Sequence, residues 1–137
     1  MEAPNPDSGI FLYHNRSILN ELMADITRKE IERLVKRRSP IKEVNITALN
    51  LDKFNFEGAI FTKCKFTGST FNGSDFAFAN FKECIIDDCE IYGSHMQESS
   101  FIECDLSKSD LRDCVLIEVN FRQSIMHSID FSGSFIK

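Results

Sequence analysis

The chain has 137 residues, 42% of them hydrophobic and 27% charged, with a formal net charge of −5 at pH 7. This size suits one compact unit; no run of about eighteen apolar residues provides for a membrane helix, and Met1 to Ile10 lacks the charged-then-apolar layout of a secretory signal. Without that signal the expected compartment is the cytoplasm, and the sequons at Asn15, Asn45 and Asn72 are incidental.

Residues 1–14, with Pro4, Pro6 and Gly9, are expected to form a flexible N-terminal segment. Residues 15–40 read as helical. Apolar residues fall at Ile18, Leu19, Leu22, Met23 and Ile26, then at Ile31, Leu34 and Val35, the spacing of one helix face. Thr27 followed by Glu30 has the form of a capping box, with Ile26 and Ile31 as its hydrophobic staple. This predicts two short helices broken near Thr27, or one kinked helix. Lys36, Arg37 and Arg38 suit a helix C-terminus, and Ser39-Pro40 ends it.

From Ile46 to Ile136 every fifth residue is large and apolar: Ile46, Leu51, Phe56, Phe61, Phe66, Phe71, Phe76, Phe81, Ile86, Ile91, Met96, Phe101, Leu106, Leu111, Leu116, Phe121, Met126, Phe131 and Ile136. An α-helix repeats its buried face every 3.6 residues and a strand every two, so only a chain that turns a corner every five residues points all of these inward. Self-similarity of this kind means a solenoid. Two residues before most of them sits a small residue, such as Ala59, Cys64, Ser69, Ser74 or Ala79, which also faces inward and lets a narrow tube fill without voids. Gly58, Gly68, Gly73, Gly93 and Gly133 fall two residues after the large position, marking a turn slot where a positive φ is sometimes needed. The remaining slots are polar and face water.

Segments such as Ser69-Thr70-Phe71-Asn72-Gly73, Ala79-Asn80-Phe81, Cys104-Asp105-Leu106 and Ser109-Asp110-Leu111 resemble the pentapeptide-repeat family. The resemblance covers residues 41–137 and implies an all-β solenoid, a right-handed quadrilateral β-helix with four pentapeptides to a coil and about four to five coils. Counting by twenties then stacks Phe61, Phe81, Phe101 and Phe121 in one column. The first coil of such a helix leaves backbone and core uncovered, so residues 15–40 are expected to form an α-helical cap on it. Leu49 and Phe54, too large for the small slot, are placed to meet that cap. The far end offers no counterpart. Phe131, Phe135 and Ile136 lie on a terminal coil, which predicts an end-to-end homodimer through them; a longer parent protein, or final residues folded back over the end, would cover them instead.

The residues suggest no chemistry. Cys64, Cys84, Cys89, Cys104 and Cys114 all occupy the small inward slot, with no CxxC pair and no neighbouring histidine, so they read as reduced core thiols, Cys64, Cys84 and Cys104 in one stack. His14, His95 and His127 form no triad with Ser, Cys or Asp, and neither a phosphate loop nor metal-ligand spacing occurs. No catalytic, cofactor-binding or metal-binding residue is expected; the chain reads as non-enzymatic. Charge is the one surface feature above background. Residues 83–118 hold ten acidic and two basic side chains. In columns of twenty, Glu90, Asp110 and Asp130 align, as do Glu83 with Glu103 and Glu98 with Glu118, which makes these seven a candidate acidic interaction surface. Three roles follow: a rigid scaffold that binds a protein partner, with no direct contact to nucleic acid or membrane; an acidic mimic of duplex DNA acting on DNA gyrase or another DNA-binding protein, as the family resemblance implies for some members; or a bacterial effector delivered to a host.

Overall fold

The computed structural model describes residues 24–137. The expected flexible segment, 1–14, and the first part of the expected cap, 15–23, lie outside the described residues.

The unit of the fold is one corner. At Phe56 the chain points its ring inward, Glu57 and Gly58 turn, and the Ala59 amide donates to the Phe56 carbonyl at 2.9 Å. Gly58 has φ +68. A positive φ at the third residue of a turn closed in this way is the mark of type II. The sequence suggested a positive φ at some of these slots; it occurs at every one from Ala48 to Gly133, between 53° and 72°. Most of the residues that adopt it carry a side chain, so the corner geometry prevails over a local penalty of about 1–2 kcal/mol at each.

Four corners close a coil, and each coil pairs in parallel with the one twenty residues later. On one face β1 (Ile41–Lys42), β2 (Ile60–Thr62), β3 (Asn80–Lys82) and β4 (Ser100–Ile102) form a sheet in chain order, with Phe61, Phe81 and Phe101 in register. On another face β5 (Val115–Leu116) pairs with β6 (Phe135–Ile136). Elsewhere the ladder is single bridges at the same interval, such as Asn50 to Thr70 to Glu90 to Asp110 to Asp130. This is the right-handed quadrilateral β-helix that the resemblance implied.

The interior follows the predicted register. The large residues from Ile46 to Leu116 are all buried. Phe61, Phe81 and Phe101 stack face to face, centroids 5.0 and 4.7 Å apart. The small slot does more than fill space: the Ser109 hydroxyl donates to the Ile86 carbonyl at 2.7 Å and accepts from the Cys89 amide at 3.1 Å, tying each coil to the next. Ser69, Ser74, Ser94, Ser124 and Ser134 repeat the donation. All five thiols are buried and unpaired, in the slots predicted for them. One expectation is corrected at the outermost coil. Phe121, Met126 and Phe131 are only half-buried and Ile136 is 65% exposed, because among the described residues no coil lies above them.

At the opposite end one helix, α1 (Arg28–Lys36), covers the first coil. Thr27 is its N-cap and accepts from the Glu30 amide at 3.2 Å, and Ile26 and Ile31 are both buried, as the predicted staple requires. Residues 24–26 are not helical, which favours a break at Thr27 over a continuous kinked helix. Phe54 is buried beneath the helix, with the Arg28 guanidinium 5.3 Å above its ring and donating to the Asn50 and Asp52 carbonyls. Helix α1 ends in a Schellman motif: the Ser39 amide reaches the Leu34 carbonyl and the Arg38 amide the Val35 carbonyl, both at 3.0 Å, with Arg38 at φ +55 where glycine is usual.

Candidate functional site

Because every coil has the same length, an outward residue is fixed at one height and on one column, and the surface can be described column by column. The bridges align Glu90, Asp110 and Asp130 as the sequence reading placed them. Glu83 and Glu103 share a second column, a corner, and Glu98 and Glu118 a third, each at positive φ. The seven acidic candidates therefore occupy three columns, one on a face and two at corners of the rod, and do not converge on one pocket.

Their charge is less free than the sequence suggested. Arg112 lies beside Asp110 and grips its carboxylate with two hydrogen bonds, 2.9 and 2.8 Å, holding that carboxyl below the usual range. The guanidinium also stands 5.5 Å from the centre of the Tyr92 ring. Hydrogen bonds from Ser132 lower Asp130 in the same sense, and Glu90 accepts from the Asn72 side chain. Lys63 approaches Glu83 at 3.9 Å. The column of aligned acidic residues is thus interrupted at Asp110. A bidentate arginine two positions along the chain places its head on the neighbouring carboxylate, a match that counting charges by column overlooks.

Burial raises two of the core thiols, Cys89 to about 12 and Cys114 in the same direction, whereas hydrogen bonding with the Cys84 thiol lowers Cys64 and Cys104. Contacts with the Cys104 and Cys64 thiols, together with burial, raise Cys84. Thiols held protonated and away from solvent are poor nucleophiles. His95 stands between Asp75 and Val115 in its column, and among the described residues no group of three or more His, Cys, Asp or Glu side chains is disposed to hold a metal.

The exposed large apolar residues lie in four places: Ile85 and Ile125 flank Asp105 in one column, Tyr92 stands beside Arg112, and two further groups remain. At the outermost coil are Phe135, 58% exposed, and Ile136; Phe131, expected with them, is half-buried against the core. On the corner column that includes Glu98 and Glu118 is Phe78, 49% exposed, with Ile60 exposed nearby on the adjoining face. Sequence reasoning passed over Phe78. The signal was present, since it is the one aromatic residue in the turn slot of the repeat. Between α1 and the first coil runs a groove of about 380 Å³ lined by Arg28, Glu32, Lys36, Arg38, Lys53 and Glu57, with Lys36 paired to Glu32 at 3.3 Å.

Among the described residues no helix is long and apolar enough to cross a membrane. The family described as pentapeptide repeat region matches residues 64–137, and that described as pentapeptide repeats (8 copies) matches residues 42–76. No curated relative matches the chain. Among solved structures, the chain is similar to QnrB1, a plasmid-mediated fluoroquinolone resistance protein, at 22% identity and TM-score 0.64 over 69% of this chain and 46% of that one. It is also similar to a pentapeptide repeat protein from the Arabidopsis thaliana thylakoid lumen, at 16% identity and TM-score 0.57 over 75% of this chain and 64% of that one. A third is HetL of Nostoc sp. strain PCC 7120, involved in heterocyst differentiation regulation, at 19% identity and TM-score 0.52 over 72% of this chain and 46% of that one. These likenesses are of fold. The chain spans between 46% and 64% of the length of these relatives.

Proposed function

The chain belongs to the pentapeptide-repeat family, and from this we propose that it is a rigid, non-enzymatic scaffold whose outward columns bind a protein partner. The observation that carries the reading is the fixed lattice of exposed side chains. Glu90, Asp110 and Asp130 are held at successive heights by backbone pairing, so a partner meets a preformed charge pattern and little has to be ordered on binding. The excess of acidic groups over residues 83–118 suits a basic protein surface, approached at a rate that salt would lower. Five unpaired thiols suit a reducing compartment such as the cytoplasm.

A second reading, mimicry of duplex DNA toward gyrase or another DNA-binding protein, draws on the same acidic columns and on the likeness of fold to QnrB1. The pairing of Asp110 with Arg112 and of Glu83 with Lys63 weakens it, because a mimic needs an uninterrupted run of negative charge. Exposed Phe135 and Ile136 support self-association at the outermost coil. The test pairs affinity capture with a gyrase supercoiling assay. A saturable protein partner, lost when Glu90, Asp110 and Asp130 are each changed to Lys and accompanied by no gyrase effect, supports the scaffold. Gyrase inhibition abolished by the same changes supports the mimic, and capture indifferent to them removes the acidic surface from either role.

A further inference from the structure

The corner column that carries Phe78 reads, from the capped end upward, Arg38, Gly58, Phe78, Glu98, Glu118, each residue twenty positions after the last and every one at positive φ. Backbone bonds confirm the stack from Gly58 to Glu118: the Gly58 amide reaches the Ala77 carbonyl at 2.9 Å, Phe78 the Gln97 carbonyl at 3.0 Å, and Glu98 the Ile117 carbonyl at 2.8 Å, while the Arg38 amide bonds to the Val35 carbonyl at the helix end. Two features single out this edge. A bulky aromatic residue in the left-handed region is an outlier that the rest of the coil does not need, since glycine fills the same slot one coil below. Half of that ring is in water, beside exposed Ile60 and half-buried Ala77.

The column is also its own electrostatic complement. Arg38 follows the helix and sends its guanidinium to the Gly58 level, one coil below Phe78, where one nitrogen lies 3.4 Å from where a side-chain carbon on Gly58 would stand. The space left by the glycine therefore holds positive charge, matched by anionic Glu98 one coil above Phe78. From this pattern we infer that a second copy of the chain docks side by side along this edge, antiparallel, with the twofold axis passing at Phe78. Phe78 then meets Phe78 of the other copy, and the Arg38 guanidinium of each, at the Gly58 level, faces Glu98 of the other. Such a contact is isologous, each residue finding its partner by the same operation.

An edge of five coils, roughly 19 Å at a strand spacing of about 4.8 Å, buries less surface than a standard interface, so the dimer is weak and concentration-dependent. The association uses neither the column of Glu90, Asp110 and Asp130 tested above nor contact at Phe135 and Ile136, although Glu98 belongs to both this edge and the acidic candidates. Sedimentation equilibrium of the full chain up to millimolar concentration tests it. Phe78→Gly suits the positive φ and preserves folding, and it raises the dimer dissociation constant by about tenfold or more, as removal of a central aromatic anchor does. Arg38→Glu weakens the dimer comparably, and Arg38→Glu combined with Glu98→Arg restores it to within about threefold of the parent, as a compensated charge pair does. Ala77→Cys on this edge forms an intermolecular disulfide with itself under mild oxidation. A parent chain monomeric throughout this range overturns the proposal. So does a dimer that survives Phe78→Gly and both charge changes, including one abolished only by polar residues at Phe135 and Ile136.

Discussion

At the scale of single residues, the small inward slot determines how the coils adhere. Replacing Ser109 by Ala leaves the Cys89 amide without its acceptor and the Ile86 carbonyl without its donor. Stranding such buried groups costs about 1–3 kcal/mol, which urea denaturation reads as a lowered midpoint at constant slope. The thiols test the interior in another way. In the native protein they resist a thiol-specific reagent at pH 8, and all five react once the chain is unfolded in guanidinium. The elevated Cys89 also sets a pH dependence. Its folded value of about 12 lies above the unfolded value, so the protonated thiol contributes stability that is complete below the unfolded value. That contribution falls as pH rises from about 8.5 toward 12, by up to about 1.4 kcal/mol per pH unit. Thermal midpoints at pH 8 and pH 10 show the loss, and an unchanged midpoint at pH 10 contradicts it.

At the scale of elements, the aromatic stack and the cap carry different shares. Phe81 lies between Phe61 and Phe101 in a filled column, and Phe81→Ala costs about 3–5 kcal/mol. Phe121, half-buried at the outermost coil, costs less when truncated, and comparing the two denaturation midpoints measures how far burial declines along the column. For α1, Thr27→Ala removes the acceptor for the Glu30 amide and costs about 1 kcal/mol. Much of this was legible in the sequence because the inward slots are stereotyped: the fifteen large positions from Ile46 to Leu116, the stacked phenylalanines, the staple at Ile26 and Ile31, and the fit of Phe54 beneath the cap all follow from register and size. The surface was less legible because outward slots tolerate almost any residue. Periodicity shows which column holds Asp110; it does not show that Arg112 turns back to neutralise it. Arg38 likewise reads as a helix terminus, although counting back twenty from Gly58 places it on the corner column.

For the whole molecule, the account rests on one geometric statement, that residues separated by twenty lie one strand spacing apart along a straight axis. The cap, the acidic columns and the proposed antiparallel edge all derive from it. Spin labels at Asn50→Cys and Asp130→Cys, eighty residues apart and in one column, test it in solution while the native thiols remain buried. Four coil spacings predict a narrow distance distribution near about 20 Å, broadened only by the labels. A broad distribution, or one centred beyond about 30 Å, contradicts the stacked four-sided coil.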